Sequence, residues 1–276
     1  MSLVAIWLML IYQLSITWET NVQYSHGFLV PILCFYLILK SQETSFDDTI
    51  KKSFLQGKTW YLFGIPLLLA LPLIWLIRGA NTDWRLLNLV LFGITFILTL
   101  IPVFDQGGWN KSKILIFPIL FFLVAVPWPL ATDLQLTQWF QGKVSSIIVD
   151  VLLLLEHEAS LQGTVIDVGV FGQIGIDQAC SGINGLQASI VITLFFGAYY
   201  RYGWINRLVL ALAGAIIAVG FNLLRAFSLS YIKVKGKGHL LDQHLFSIGE
   251  WQFPSLHDLA GWIETGLIFL TIFLLA

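Results

Sequence analysis

Long apolar runs recur from one end of this chain to the other, separated by short polar loops. A run of roughly 20 apolar residues is what a helix needs to cross a bilayer. Only helices and closed barrels can satisfy their backbone groups there. The runs are continuous rather than alternating, which is the helical pattern. Charge agrees: charged residues are 11% of the chain and hydrophobic ones 57%, against roughly twice that charge in a soluble domain. The expected fold is therefore an all-α polytopic membrane protein, with residues 1–276 as a single integral-membrane domain. Eight transmembrane helices are the most economical reading, near 2–18, 26–40, 60–77, 85–104, 113–131, 182–202, 204–232 and 260–276. The first run has no basic residue before it and no clear small-x-small cleavage site after it, so it reads as a span and not a signal peptide.

The segment 132–181 breaks this pattern. Residues 133–158 mix apolar positions with Asp133, Gln135, Gln138, Gln141, Lys143, Asp150, Glu156 and Glu158. That suits an amphipathic interfacial helix or a further half-span. In 162–177, glycines punctuate β-branched residues, which predicts a short surface β-hairpin before the sixth span. The hairpin leads into Gly-Ile-Asp-Gln-Ala-Cys-Ser-Gly-Ile-Asn-Gly, residues 175–185, where Cys180 stands at the start of a helix.

Orientation follows the basic residues. Loop 41–59 holds Lys51, Lys52 and Lys58, and Lys111, Arg201 and Arg207 fall on the same side. That side is expected to be cytoplasmic, with both termini inside. One consequence holds for either orientation. The sixth span carries the chain away from the face where Cys180 lies, and the seventh returns it. Arg225, some 30 Å along that helix at about 1.5 Å per residue, is back near the starting face. His257 ends the loop that follows. Thiol, guanidinium and imidazole are thus expected on one face, the extracytoplasmic one.

Those three groups suit acyl transfer: a thiolate attacks a carbonyl, an imidazole moves protons, and a fixed cation stabilises the oxyanion. The positive end of the following helix would activate the thiol, while Asp177 would oppose that by charge or serve as a cap. Each residue alone has a plainer reading. Cys180 among Ala, Ser and Gly suits close helix packing, Arg225 an interfacial anchor, and His257 an ordinary interfacial histidine. An ionisable residue inside a span is nonetheless a functional candidate, and Asn222 lies on the same helix face as Arg225. Cys34, mid-run, reads as a small buried hydrophobe. His239 and His244, five apart, lack a metal-ligand spacing, so no metal or other cofactor is expected. The net charge of −1 gives no argument for nucleic acid.

Five short motifs then resemble those of the exosortase/archaeosortase family. They are Ala-Cys-Ser-Gly-Ile at 179–183, Asn-Leu-Leu-Arg at 222–225, His-Asp-Leu-Ala-Gly-Trp at 257–262, Tyr-Ser-His-Gly-Phe-Leu-Val-Pro at 24–31 and Val-Pro-Trp-Pro at 126–129. The resemblance runs in order over nearly the whole chain. It implies a multi-pass cysteine protease/transpeptidase of the inner (plasma) membrane, of the bacterial exosortase branch. Its partners would be secreted proteins carrying a C-terminal signal of short motif, hydrophobic helix and basic residues, within a shell of membrane lipids. Cys180 would be the nucleophile, His257 the acid/base and Arg225 the oxyanion stabiliser. Gln178 departs from the pattern, where many members carry Glu, and leaves the charge beside the thiol open. Tyr24, Ser25, His26 and Asn222 would help shape the substrate groove, or the first three would form an interfacial anchor. A transporter or lipid-handling protein using Arg225 to hold an anionic group is the alternative, and a non-catalytic export scaffold a further one.

Overall fold

In the computed structural model, which describes residues 3–42, 60–81, 84–175, 181–241, 243, 247–248, 251–252 and 254–276, every expected span is helical. Among the described residues, seven helical segments are long and apolar enough to cross a membrane, and Ile183–Tyr199 is a shorter apolar helix, which makes eight. The contacts divide the chain into two compact units, Met1–Asp133 and Leu134–Ala276.

In the first unit, α1 (Leu3–Thr20) buries Ile6, Leu10, Leu14 and Trp18, a four-residue spacing that keeps one helix face inward. A 3-10 turn, Val22–Phe28, leads into α2 (Val30–Gln42). Cys34 of α2 is buried, as expected of a small apolar side chain. The helix α3 (Ile65–Ala80) follows a π-turn at Trp60–Gly64. The next, α4 (Leu86–Leu120), is two helices broken at Gly108, where φ is 61° and ψ −162°. Only glycine adopts that combination readily, so one residue separates the fourth and fifth spans. Aromatic packing closes this unit: Phe122 stacks on Phe92 at 5.9 Å and meets Trp7 edge-on at 5.2 Å.

The fifth span begins and ends earlier than expected, at Gly108–Ala125. It passes into a 3-10 turn at Phe121–Ala125 instead of continuing to 131, because Pro127 and Pro129 follow and each disfavours helix in the residue before it. A new helix, α5 (Leu130–Leu154), then begins. It accounts for most of the mixed polar segment as one helix.

In the second unit, α5 buries Val144, Ile148, Val149 and Leu152 against Ile166 in a strand of a small sheet, Val168 just after that strand, and Ala226 and Val234 of the seventh span. That sheet has three antiparallel strands, β1 (Ser160–Gln162), β2 (Val165–Asp167) and β3 (Gln173–Gly175), in sequence order. Leu161 opposes Ile166, and Ile166 opposes Ile174. The expected hairpin is thus a three-stranded meander whose first strand begins ahead of Gln162. A second, two-stranded ribbon pairs β4 (Ser247–Ile248) with β5 (Trp251–Gln252).

The membrane part of this unit is α6 (Ile183–Tyr199), α7 (Trp204–Ile232) and α8 (Leu256–Leu275). Small residues bring them together. A Cβ on Gly214 of α7 would lie 2.5 Å from Thr193 of α6 and 3.4 Å from Ile272 of α8, the close approach that small residues permit between spans. The helix α8 starts a turn earlier than expected. Ser255 and Asp258 form a reciprocal cap in which each side chain accepts from the other's backbone N–H, and such a cap begins a helix ahead of its apolar run. His257 therefore stands in the first turn of α8, not in the loop before it.

Candidate active site

The buried stripe of α7 runs through Gly214, Ala218, Asn222, Ala226 and Leu229. Asn222 is 2% exposed and receives the chain entering α6. A Cβ on Gly182 would lie 2.6 Å from Asn222 Nδ2 and 2.8 Å from its Cγ. Gly182 also has φ 85°, in the region that favours glycine. Both facts make residue 182 a glycine: the backbone turns left-handed there and rests on the Asn222 amide. Beside it Ser181 is fully buried, and its Oγ accepts from the Ile183 N–H at 3.3 Å.

Arg225 lies three residues along the same helix. Its guanidinium covers Gly261 of α8, where a Cβ would approach Nη2 to 3.3 Å and Cζ to 3.4 Å. Its Nη1 donates to Glu264 Oε2 at 3.1 Å, with the two side chains 11% and 7% exposed. A Cβ on Gly185 of α6 would lie 3.3 Å from Glu264 Oε1. The carboxylate is thus held where all three helices meet. His257, Gly261 and Glu264 fall on one stripe of α8, at spacings of four and three, so His257 is one turn above the Gly261–Arg225 contact. The His257 backbone N–H donates to Leu241 O at 3.2 Å and fixes the start of α8 to the turn after α7. Asn222, Arg225 and His257 are therefore gathered at one end of the α6–α7–α8 bundle.

Cys180 lies outside the described residues, within 176–180. The chain on either side of that segment is fixed. Before it, β3 is tied to the end of α7 by Lys233, whose Nζ donates to Gln173 O at 2.6 Å. After it, Gly182 rests on Asn222.

The early motif belongs to the first unit. Tyr24 is 1% exposed, and its hydroxyl accepts from the Trp128 N–H at 3.1 Å. The His26 ring bonds Val124 O at 3.0 Å, and the Trp18 indole donates to Ala125 O at 2.7 Å. Ser25 is exposed. The early and mid-chain motifs thus pack on one another. Beneath them Asp133 is buried, accepting from Gln23 Nε2 at 2.7 Å and pairing with Arg85 at 2.8 Å. Removing one partner of a buried pair leaves an uncompensated charge. Arg85, 17% exposed, can partly recover water, so Asp133→Ala is expected to destabilise the protein by about 2 kcal/mol. A thermal melt in detergent measures this, with Asp133→Asn losing less.

Glu264, Gly182, Gly261 and Asp133 were not among the expected site residues. For Glu264 a signal existed, since a carboxylate within an apolar run is a functional candidate by position alone. Among the described residues no three His, Cys, Asp or Glu side chains cluster as metal ligands. His239 is in the turn after α7, and His244 is outside the described residues.

Residues 18–274 match the family model described as transmembrane exosortase. No curated protein and no solved structure matches the chain.

Proposed function

This chain belongs to the transmembrane exosortase family, and on that premise we propose that it is a membrane-embedded cysteine protease/transpeptidase that cleaves the C-terminal sorting signal of secreted proteins. Cys180 is the nucleophile, His257 the proton carrier and Arg225 the oxyanion partner. The reaction occupies the outer face of the inner (plasma) membrane, with the substrate's hydrophobic helix lying in the surrounding lipid.

The chemistry balances on these side chains. His257 takes the Cys180 proton, and the sulfur attacks the carbonyl carbon of the scissile peptide bond. Arg225 donates hydrogen bonds to the oxyanion that forms. The C–N bond breaks, and His257 returns the proton to the leaving amine, which departs with the membrane tail. The thioester on Cys180 is then attacked by an acceptor amine or by water. Its proton passes through His257 back to the sulfur, and the protein is transferred or released.

The observation that carries this reading is the seat of Gly182 on Asn222. Cys180 is two residues before Gly182, and consecutive Cα atoms are about 3.8 Å apart. Gly182 itself rests one turn before Arg225 on α7, and Arg225 in turn covers the α8 stripe of His257.

A peptide carrying the sorting signal should become covalently attached to the purified full-length protein. Mass spectrometry after acid quenching should find the N-terminal fragment of the peptide on Cys180, released by hydroxylamine. An adduct elsewhere, or cleavage with none trapped even in the absence of an acceptor amine, would count against the mechanism.

A further inference from the structure

We propose that Glu264 is a positioning residue for Arg225, whose carboxylate keeps the guanidinium at the level of Gly261 and stops it rising to the headgroups. The inference rests on the reading of Arg225 as the oxyanion partner.

Arg225 is seven residues before the end of α7 at Ile232, about 10 Å below that end at 1.5 Å per residue. Arginines at such depth commonly extend to the nearest interface. Here the side chain does not. Side chains lean toward the N-terminus of their own helix, which for α7 is away from the face carrying Gly182 and His257. That lean starts the side chain inward, and Glu264 Oε2 retains the guanidinium there at 3.1 Å.

The carboxylate is itself fixed from two sides. Oε2 meets Arg225, and Oε1 lies against Gly185, where a methyl group would come within 3.3 Å. Gly261 completes the arrangement by giving the guanidinium a flat backbone surface. Glu264, Gly185 and Gly261 together set both the height and the plane of Arg225. An oxyanion donor is effective only when it is already aimed at the developing charge, and a displacement of about 1 Å can cost on the order of a hundredfold in rate.

The test uses the full-length protein in detergent micelles with a sorting-signal peptide, measuring kcat, KM and melting temperature together. Glu264→Gln keeps the size and an acceptor oxygen but removes the charge. It should lower kcat by roughly 10- to 100-fold with KM within about twofold, in a protein that still folds but with a lowered Tm. Glu264→Asp, which keeps the charge on a shorter arm, should retain more kcat than the Gln variant. A folded Glu264→Gln protein with full kcat overturns the proposal, as does a loss confined to KM. If both variants lose their melting transition, the carboxylate is only a structural counter-ion and the proposal fails. Cys180→Ala in the same assay reports on the underlying reading. Turnover surviving in it sinks the thiol chemistry and the positioning role together. Turnover abolished in it but intact in Glu264→Gln sinks the positioning role alone.

Discussion

Cys180→Ala is expected to abolish processing of the sorting signal, by on the order of 10⁴-fold or more, the scale on which a covalent nucleophile is lost. Membrane insertion and melting temperature should stay at wild-type values, since alanine is smaller than the thiol it replaces and the neighbouring chain is held independently by the Gly182–Asn222 contact. Cys180→Ser tests the chemistry more sharply. It keeps a nucleophilic atom, yet a hydroxyl has far too high a pKa to be ionised by one imidazole at neutral pH. The serine variant should therefore be nearly as inactive as the alanine one. Turnover is read as release of a labelled C-terminal fragment from a full-length substrate in reconstituted vesicles. Persistent processing by either variant would remove the thiol from the mechanism, whatever the other side chains do.

The second large effect concerns Gly27. A methyl group there would fall 2.4 Å from Cε2 and Nε1 of the Trp18 indole and 2.5 Å from Cδ2. Trp18 cannot step aside, because it is 1% exposed and its indole N–H is bonded to Ala125 O. Gly27→Ala must therefore displace the ring, break that bond or move the 3-10 turn. Overpacking a tight interior costs about 1–3 kcal/mol, and a buried donor left unsatisfied adds about 1–3 kcal/mol. The expected loss is about 3 kcal/mol, several degrees in Tm, with a lower yield of folded protein. Gly266→Ala is the control: this exposed glycine of α8 has nothing within 4 Å of the added carbon, and the change should be neutral or slightly stabilising. Equal melting temperatures for the two variants would mean that Trp18 and Gly27 are not in contact.

Much of this architecture is readable from hydropathy. Apolar runs of the right length become helices because the bilayer offers the backbone no alternative, so eight membrane helices follow from the runs themselves. Their ends follow from other residues, which is why three boundaries differ. Pro127 and Pro129 end the fifth span early, the Ser255–Asp258 cap starts the eighth early, and Gly108 alone divides α4. The first strand of the meander is missed because Ser160 and Gln162 are weak strand formers, and β1 is paired only by virtue of β2.

The candidate site divides in the same way. That Arg225 and His257 reach the same end of the bundle follows from counting spans, without any knowledge of side-chain contacts. The ion pair with Glu264 does not, since it depends on how α7 and α8 are rotated about their own axes. That rotation is set by glycines at 185, 214 and 261 whose importance shows only once the helices face each other. Gly182 is likewise unremarkable among the small residues of 179–185, and its requirement comes from Asn222, some forty positions later in the chain.

The helix α6 has 17 residues and rises about 26 Å, while the hydrocarbon core of a typical bilayer is about 30 Å. The shortfall of about 4 Å is one that local thinning of the leaflet accommodates. If the thinning falls at the end joined to Gly182, the proposed site lies in a depression of the leaflet. Acyl-chain length then becomes a control on turnover: lipids with shorter tails favour the reaction, and thicker, sterol-like membranes slow it.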